Sequence, residues 1–140
     1  MQRFIHDCLL VRGSRFHFRL FALVAQIRPL TIFLFRQCIV KLDDMSTMTF
    51  NEALQELEKQ GVQIPALKLQ FRDIIIKCML SMHQELIHSY NQVVGAAKGN
   101  IGNLLSDSCF EVLEFKLIVD QQHKVWLIGV KQSPNYNNFD

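Results

Sequence analysis

The sequence predicts an α+β fold in which a mainly antiparallel sheet is covered by helices. Two observations carry this prediction. Stretches rich in β-branched and aromatic residues occur at both ends of the chain, and the middle carries apolar residues at helical spacing. The 140 residues suffice for one modest core, and a content of 49% hydrophobic and 20% charged residues is typical of a globular chain.

The first third of the chain is patterned as strands. Residues 15–26 alternate partly between two faces and are apolar on both toward their end, which indicates a strand buried on both sides. A connection containing Pro29 leads to residues 30–36, which are rich in Ile, Thr and Phe and are expected to be the hairpin partner. Residues 37–42 continue that strand or add a third, and residues 2–5 form a short strand before it.

The middle of the chain changes to a helical period. Thr49 followed by Glu52 has the form of a capping box, and Gly61 suits the end of the helix that this box opens. Pro65 suits the first turn of a second, longer helix. The apolar stripe of that helix has spacings of three and four and consists of Leu67, Phe71, Ile74, Ile75, Cys78, Met79, Met82, Leu86 and Tyr90. Glycine and small polar residues at 91–108 predict a flexible loop.

The C-terminal end predicts two further strands, at residues 110–119 and 124–130, with Trp126 in the core. Composition and period therefore divide the chain into three regions. They are a basic strand region at 1–42, a helical region with a loop at 43–108, and a C-terminal strand pair at 109–134.

Charge is distributed unevenly along the chain. Residues 1–42 hold seven basic residues against one acid, whereas the remainder holds eight basic and twelve acidic residues. The basic third therefore faces either solvent or an anionic partner, such as phosphate or an acidic protein surface. We expect a hairpin to place several of its cations on one exposed rim; the candidates are Arg12, Arg15, Arg19, Arg28, Arg36 and Lys41.

Cysteine spacing and hydropathy indicate the cellular compartment that the chain suits. The four cysteines include no CxxC pair, which argues against a zinc site or a disulfide scaffold and fits a reducing compartment. The chain opens with no signal-peptide pattern, and Arg28, Pro29 and Arg36 interrupt its apolar stretch at 20–40. We therefore expect a soluble, cytoplasmic protein whose partners include neither a membrane nor a nucleic acid.

Motifs at both ends of the chain resemble one known family, the tubulin tyrosine ligase-like proteins. The C-terminal strands read Phe110-Glu111-Val112-Leu113-Glu114-Phe115-Lys116 and Trp126-Leu127-Ile128-Gly129-Val130-Lys131. They resemble the F-E-x-x-G-F-D and W-L-x-E-V-N strands of that family. Its Q-x-Y-I and K-F-D-L-R motifs resemble Gln2-Arg3-Phe4-Ile5 and Arg15-Phe16-His17-Phe18-Arg19. Residues 61–90 are most similar to the polyglutamylase branch.

The resemblance implies a fold, a cofactor and a site. The fold is the C-terminal half of an ATP-grasp-like domain, so we expect a truncated member of the family. ATP and Mg²⁺ are the implied cofactors. The nucleotide positions correspond to Gln2, Arg3 and Phe4 beside the adenine and to Arg15, His17, Arg19 and Lys41 near the triphosphate. The family's magnesium ligands correspond to Lys116, Gly129 and Lys131, which offer no oxygen ligand from a side chain, so we expect no intact metal site.

Two functions remain as hypotheses. In the first, the chain descends from ATP-dependent ligases that add glutamate, or another amino acid, to tubulin side chains, but is catalytically inactive. In the second, it is a non-catalytic module that binds tubulin or microtubules through its basic strands. Both hypotheses place the protein at the microtubule cytoskeleton, including that of a cilium or axoneme.

Overall fold

A computed structural model describes residues 5–27, 29–36, 38–96 and 110–132, and the side chains at 93–96 are left out of the description. Most of the strand expected at residues 2–5 falls outside these ranges, and its one described residue, Ile5, lies in no strand. Arg28 and the tail after Gln132 also fall outside them. The described strands are β1 (Leu10–Val11), β2 (Ser14–Ile27), β3 (Leu30–Leu34), β4 (Ile39–Leu42), β5 (Thr47–Thr49), β6 (Glu111–Val119) and β7 (Val125–Gln132). The described helices are α1 (Phe50–Lys59) and α2 (Ile64–Ala96). The expected α+β class is confirmed.

The long strand β2 is the centre of the sheet, whose strand order is β5-β4-β2-β6-β7 with every neighbouring pair antiparallel. Strands β1 and β3 pair with β2 as hairpins. Because β6 occupies one edge of β2, β3 and β4 lie end to end along its other edge. The C-terminal strand β6 thereby lies directly against the basic N-terminal strand β2, and β7 lies on the far side of β6.

Side chains of β2 alternate between the two faces of the sheet. One face, here called the helix face, packs against α1 and α2 in a single apolar cluster. Register places Leu20 opposite Phe115 on this face. The strand residues at its centre, all buried, are Phe16, Phe18, Leu20, Ala22, Leu113, Phe115 and Leu117. Burial of this aromatic and aliphatic surface is the main term that stabilises the fold.

Helix α1 has both caps that its sequence predicts. The Thr49 hydroxyl accepts from the Glu52 backbone N–H, and the Glu52 carboxylate accepts from the Thr49 backbone N–H at 2.9 Å, which completes the capping box. At the other end Gly61 has φ +86°, and the Val62 N–H donates to the Leu57 carbonyl. That pattern is a Schellman motif, in which a glycine takes the left-handed position at low steric cost.

Helix α2 buries the apolar stripe that the sequence predicts. Leu67, Phe71, Ile75 and Met79 are buried, and the other members of the stripe are half-buried along the same side. The helix continues to Ala96, so the expectation of a loop from residue 91 is wrong for its first six positions, and residues 97–109 lie outside the described ranges. Within the described residues, no helix combines the length and apolar character that crossing a membrane requires.

Strand β5 (Thr47–Thr49) is absent from the sequence-based prediction, which assigned these residues to the helical region. Three residues are too short to show a period, and pairing with β4 supplies their strand geometry. A tight turn at Asp43–Ser46 joins the two strands, where the Asp44 carboxylate accepts from the Ser46 backbone N–H at 2.9 Å.

Candidate functional site

The sheet brings most of the sequence-predicted site residues together on its outer face, the face opposite the helices. Register pairs His17 with Lys41, Arg19 with Lys116, and Lys116 with Gly129. Glu114 pairs with Lys131. The two N-terminal and two C-terminal strands thus contribute to one surface, which we define by His17, Arg19, Lys41, Glu114, Lys116, Gly129 and Lys131.

Three of the predicted nucleotide positions cannot be placed on this surface. Gln2, Arg3 and Phe4 lie outside the described residues. Arg15 lies on β2 two residues before His17 and is exposed, so it extends the outer face toward the β1–β2 turn.

Arg19 and Glu114 form a buried ion pair at the centre of the outer face. The Arg19 Nε donates to Glu114 Oε1 at 2.7 Å and a terminal guanidinium nitrogen donates to Oε2 at 2.8 Å. Only 6% of Arg19 and 1% of Glu114 are exposed. The guanidinium also lies 5.6 Å from the ring centroid of Phe21. Two N–H donors of the Arg19 guanidinium are therefore already bound to a carboxylate, which is the side-chain group that competes best with phosphate for this pair of donors.

The other charges of the outer face are mostly positive. Lys41 and Lys116 are half-buried, and Lys131 is exposed. The pKa of His17 is lowered, first by burial and then by the charges of Lys116 and Arg19. Burial acts to raise the pKa of Glu114, but the hydrogen bonds and charge of Arg19, with help from Lys116 and Lys131, hold it below its ordinary value. The outer face consequently presents lysine ammonium groups around a neutralised centre.

A second carboxylate, Asp120, directly follows β6 and begins the compact β6–β7 turn. Its Oδ1 accepts from the backbone N–H groups of Gln122 and Lys124, both at 2.9 Å, and its Oδ2 accepts from the Trp126 indole at 2.7 Å. The Lys124 ammonium lies 4.0 Å from the Trp126 ring centroid. Trp126 is 37% exposed, so its predicted place in the core is wrong. Its indole N–H instead fixes the β6–β7 turn.

The residues of the outer face do not fit a magnesium ion. Magnesium takes oxygen ligands in octahedral geometry, usually from one or two carboxylates together with phosphate. Glu114 is bound by Arg19 and Asp120 by the β6–β7 turn, while Lys116 and Lys131 are donors only. Across the described ranges, the structure contains no group of three His, Cys, Asp or Glu side chains that would hold a metal.

Sequence reasoning missed the role of Glu114. The family motif quoted above has glycine at this position, which gives no indication of an ion pair. The signal that would have found the pair is the register of β2 against β6, because Arg19 and Glu114 lie on the same face at adjacent positions. The expected basic rim is also wrong for two members: Arg19 is buried, and Arg36 lies beside α2 in a groove on the helix side.

Comparison with known proteins agrees with this fold. The family model described as "Tubulin-tyrosine ligase family" matches residues 1–64. A probable beta-tubulin polyglutamylase of Tetrahymena thermophila is 24% identical over 98% of this chain, and human tubulin polyglutamylase TTLL6 is 23% identical over 97%. A probable alpha-tubulin polyglutamylase Ttll1 of Tetrahymena thermophila is 27% identical over 96%.

A mainly antiparallel sheet with helices on one face is the architecture of an ATP-grasp-like fragment. The first 64 residues of the chain match the tubulin-tyrosine ligase family model, and the relatives to which the chain is similar are named as tubulin polyglutamylases, two of them as probable ones. It spans 14% of the first relative, 19% of the second and 37% of the third, so it corresponds to a minor part of each.

Proposed function

We propose that this chain is a ligase-derived domain that no longer transfers an amino acid to tubulin. The observation that carries the proposal is the Arg19–Glu114 pair between the two C-terminal lysines. The Glu114 carboxylate occupies the two Arg19 N–H donors that the family resemblance assigns to the triphosphate. The pair also lies beside the positions that the resemblance assigns to the magnesium ligands. Phosphoryl transfer depends on positioning and on neutralising phosphate charge, which the metal ions normally provide.

Nucleotide binding without transfer is compatible with the same surface. In this proposal Gln2, Arg3 and Phe4 retain the adenine position, while Lys41, Lys116 and Lys131 supply positive charge without a metal. Lysine is a point charge that binds phosphate oxygens but does not replace octahedral coordination. The family resemblance thus implies both ATP and Mg²⁺ as cofactors. In this chain only ATP is complementary in charge to the lysines of the outer face.

The test is transfer of labelled glutamate to tubulin by the 140-residue chain with Mg²⁺ and ATP. We expect none above a reaction lacking the chain, with a tubulin polyglutamylase as the positive control. The triple variant Lys116→Asp, Gly129→Glu, Lys131→Asn restores the family residues, and a Cβ at Gly129 meets nothing within 4 Å. We expect no transfer from it either, because Glu114 still holds Arg19. Labelled tubulin from the unaltered chain would refute the proposal, and labelled tubulin from the triple variant alone would show that the Arg19–Glu114 pair does not block transfer.

A second candidate function is binding to tubulin or microtubules at the cytoskeleton. It is favoured by the lysines of the outer face, because cationic surfaces attract acidic proteins and the named relatives are tubulin-modifying enzymes. We expect weak co-sedimentation with microtubules that salt reduces, since screening acts over about 10 Å at 0.1 M ionic strength. Lys41→Glu with Lys131→Glu should abolish it, whereas Lys59→Glu with Lys77→Glu, on the helices, should not. Equal loss in both double variants would contradict a role for the outer face.

A further inference from the structure

A groove on the helix side of the molecule is separate from the outer face and has no role in the function proposed above. It has a volume of about 710 Å³, within the range of about 300–1,000 Å³ that is usual for ligand sites. It lies between β3, the connection from β3 to β4, and the first turns of α1 and α2. Its apolar floor is made by Leu20, Phe50 and Phe71.

The walls of the groove expose large apolar side chains. Leu34 is 44% exposed, Phe35 49% and Leu69 53%. These three residues come from the end of β3 and from α2, so the two walls belong to different elements. An apolar floor and apolar walls around an open groove are typical of a site that receives side chains of a partner.

Three cations line the same groove, and the structure shows no acidic side chain among its lining residues in the part of the chain that it describes. They are Arg36, Lys68 and Arg72. Neither of the ion pairs seen within the described ranges, Arg19–Glu114 and Lys59–Glu56, includes any of these three cations. Unpaired cations beside an apolar surface are complementary to an anionic, partly apolar occupant.

The spacing of the cations selects the kind of occupant. Lys68 and Arg72 are four residues apart on α2, so they lie on one side of the helix with their Cβ atoms about 5–6 Å apart. Arg36 comes from a different element, the β3–β4 connection. Three cations from two elements are complementary to an occupant that carries several carboxylates. A protein segment with several acidic residues has this charge, and it also supplies apolar side chains for the floor.

Cys38 adds a buried, uncharged side chain to the lining of the groove. Burial raises the pKa of Cys38, a lining residue, to about 12, and the charge of nearby Lys68 opposes this only in part. The thiol therefore stays protonated at neutral pH and behaves as a small apolar group.

We propose that this groove binds an acidic protein segment, which inserts apolar side chains between β3 and α2 and places its carboxylates against Arg36, Lys68 and Arg72. The segment matches the helix-in-groove mode, in which apolar anchors recur at positions i, i+3, i+4 and i+7. The proposal is independent of the ancestry of the outer face. It accounts for the exposed apolar side chains of the groove, Leu34, Phe35 and Leu69, which are not part of the described core.

The test uses fluorescence anisotropy with a labelled amphipathic peptide that has Leu and Phe at i, i+3, i+4 and i+7 and Glu at most other positions. We expect saturable binding to the 140-residue chain. A scrambled peptide of the same composition and polyglutamate should bind at least about tenfold more weakly, because the anchors are lost while the charge remains. Equal binding of all three peptides would overturn the proposal, since it would show attraction by charge alone.

Variants locate the binding in the groove. Lys68→Glu with Arg72→Glu should weaken binding about tenfold or more, because two attractive contacts become repulsive. The control, Lys59→Glu with Lys77→Glu, makes the same charge change on helix positions outside the groove and should leave affinity unchanged. Lys41→Glu with Lys131→Glu, on the outer face, should also leave it unchanged.

Leu69→Ala serves as a second groove variant. Leu69 is 53% exposed, so its truncation should leave the melting curve unchanged while weakening binding. Loss of affinity in the control variants, or unchanged affinity in both groove variants, would overturn the proposal. So would dimers in light scattering that the groove variants dissociate, because the groove would then be filled by a second copy of the chain.

Discussion

Glu114 occupies a position where the family motif has glycine, and two residues later Lys116 replaces the acid of that motif. Both side chains lie on the outer face because they are two apart on one strand. The resemblance implies a metal-binding acid at the position of Lys116. In this chain the outer-face carboxylate of the strand is instead that of Glu114, and it binds the Arg19 guanidinium of the same sheet.

Removing one member of this pair should destabilise the protein strongly. Glu114→Ala leaves the Arg19 charge buried without its partner, so we expect a loss of about 3 kcal/mol in the free energy of unfolding. Urea denaturation at neutral pH measures it. Arg19→Met with Glu114→Leu replaces the whole pair by apolar groups and should lie within about 1 kcal/mol of the wild type. A single variant as stable as the wild type would contradict a closed ion pair.

The pair also makes stability depend on pH. Because the pKa of Glu114 is lower in the folded protein than its ordinary value, the pair contributes fully above the unfolded pKa, about 4.3. The contribution is lost as pH falls through the folded pKa. The stability difference between the wild type and Glu114→Ala should therefore be constant near neutral pH and shrink at acidic pH.

Asp120 offers an optical test of the β6–β7 turn, because Trp126 is the single tryptophan of the chain. Burial acts to raise the pKa of Asp120, but hydrogen bonds from Trp126 and from the Lys124 and Gln122 backbone outweigh it and lower the pKa. The acceptor of the indole bond is consequently lost only below the ordinary pKa of about 3.9. Trp126 emission should be flat from neutral pH to that value and change below it.

Asp120→Asn should remove this acidic step in Trp126 emission, because its amide does not titrate. The control is Asp44→Asn, which alters an exposed carboxylate whose pKa is also lowered, by the hydrogen bonds that it accepts from the Ser46 hydroxyl and backbone N–H. We expect the control to keep the step. Identical titrations of the two variants would show that Asp120 does not report through the indole.

Helix α1 shows how far local sequence rules reach at the scale of an element. Its capping box and its glycine stop are formed by residues within a few positions of each other, so the sequence predicts both. The sequence does not predict strand β5 or the last turns of α2. The strand geometry of β5 depends on its pairing with β4, which lies outside local sequence. The end of α2 carries glycine and polar residues, which are typical of a loop.

Gly61→Ala should lower the free energy of unfolding by about 1 kcal/mol, the usual cost of a left-handed backbone for a residue with a Cβ. Space is not the reason, since a Cβ at Gly61 meets nothing within 4 Å. Gly129→Ala is the matched control, because it has equal space and lacks the positive φ. We expect it to cost clearly less in the same thermal melts. Equal losses would show that φ at Gly61 does not matter.

At the scale of the molecule, the sheet order determines what the chain presents on each side. Sequence patterns predict the sheet, the helix stripe and the family, but not that β6 lies directly against β2. That long-range pairing creates both the ion pair and the lysine-rich outer face. It follows from burial summed over the whole sheet, which local periodicity does not contain. The sequence motifs therefore predict site positions, which stay a prediction, and they do not reveal that Arg19 is bound to Glu114.

The dependence of ATP binding on Mg²⁺ tests the central claim most directly, namely that the outer face has no ligands for this metal. Isothermal titration of ATP into the 140-residue chain is compared with and without Mg²⁺ at constant ionic strength. Because lysines supply the charge and both buried carboxylates are engaged, we predict that Mg²⁺ does not strengthen ATP binding. An affinity that rises about tenfold with Mg²⁺, or about 1.4 kcal/mol, would contradict the account.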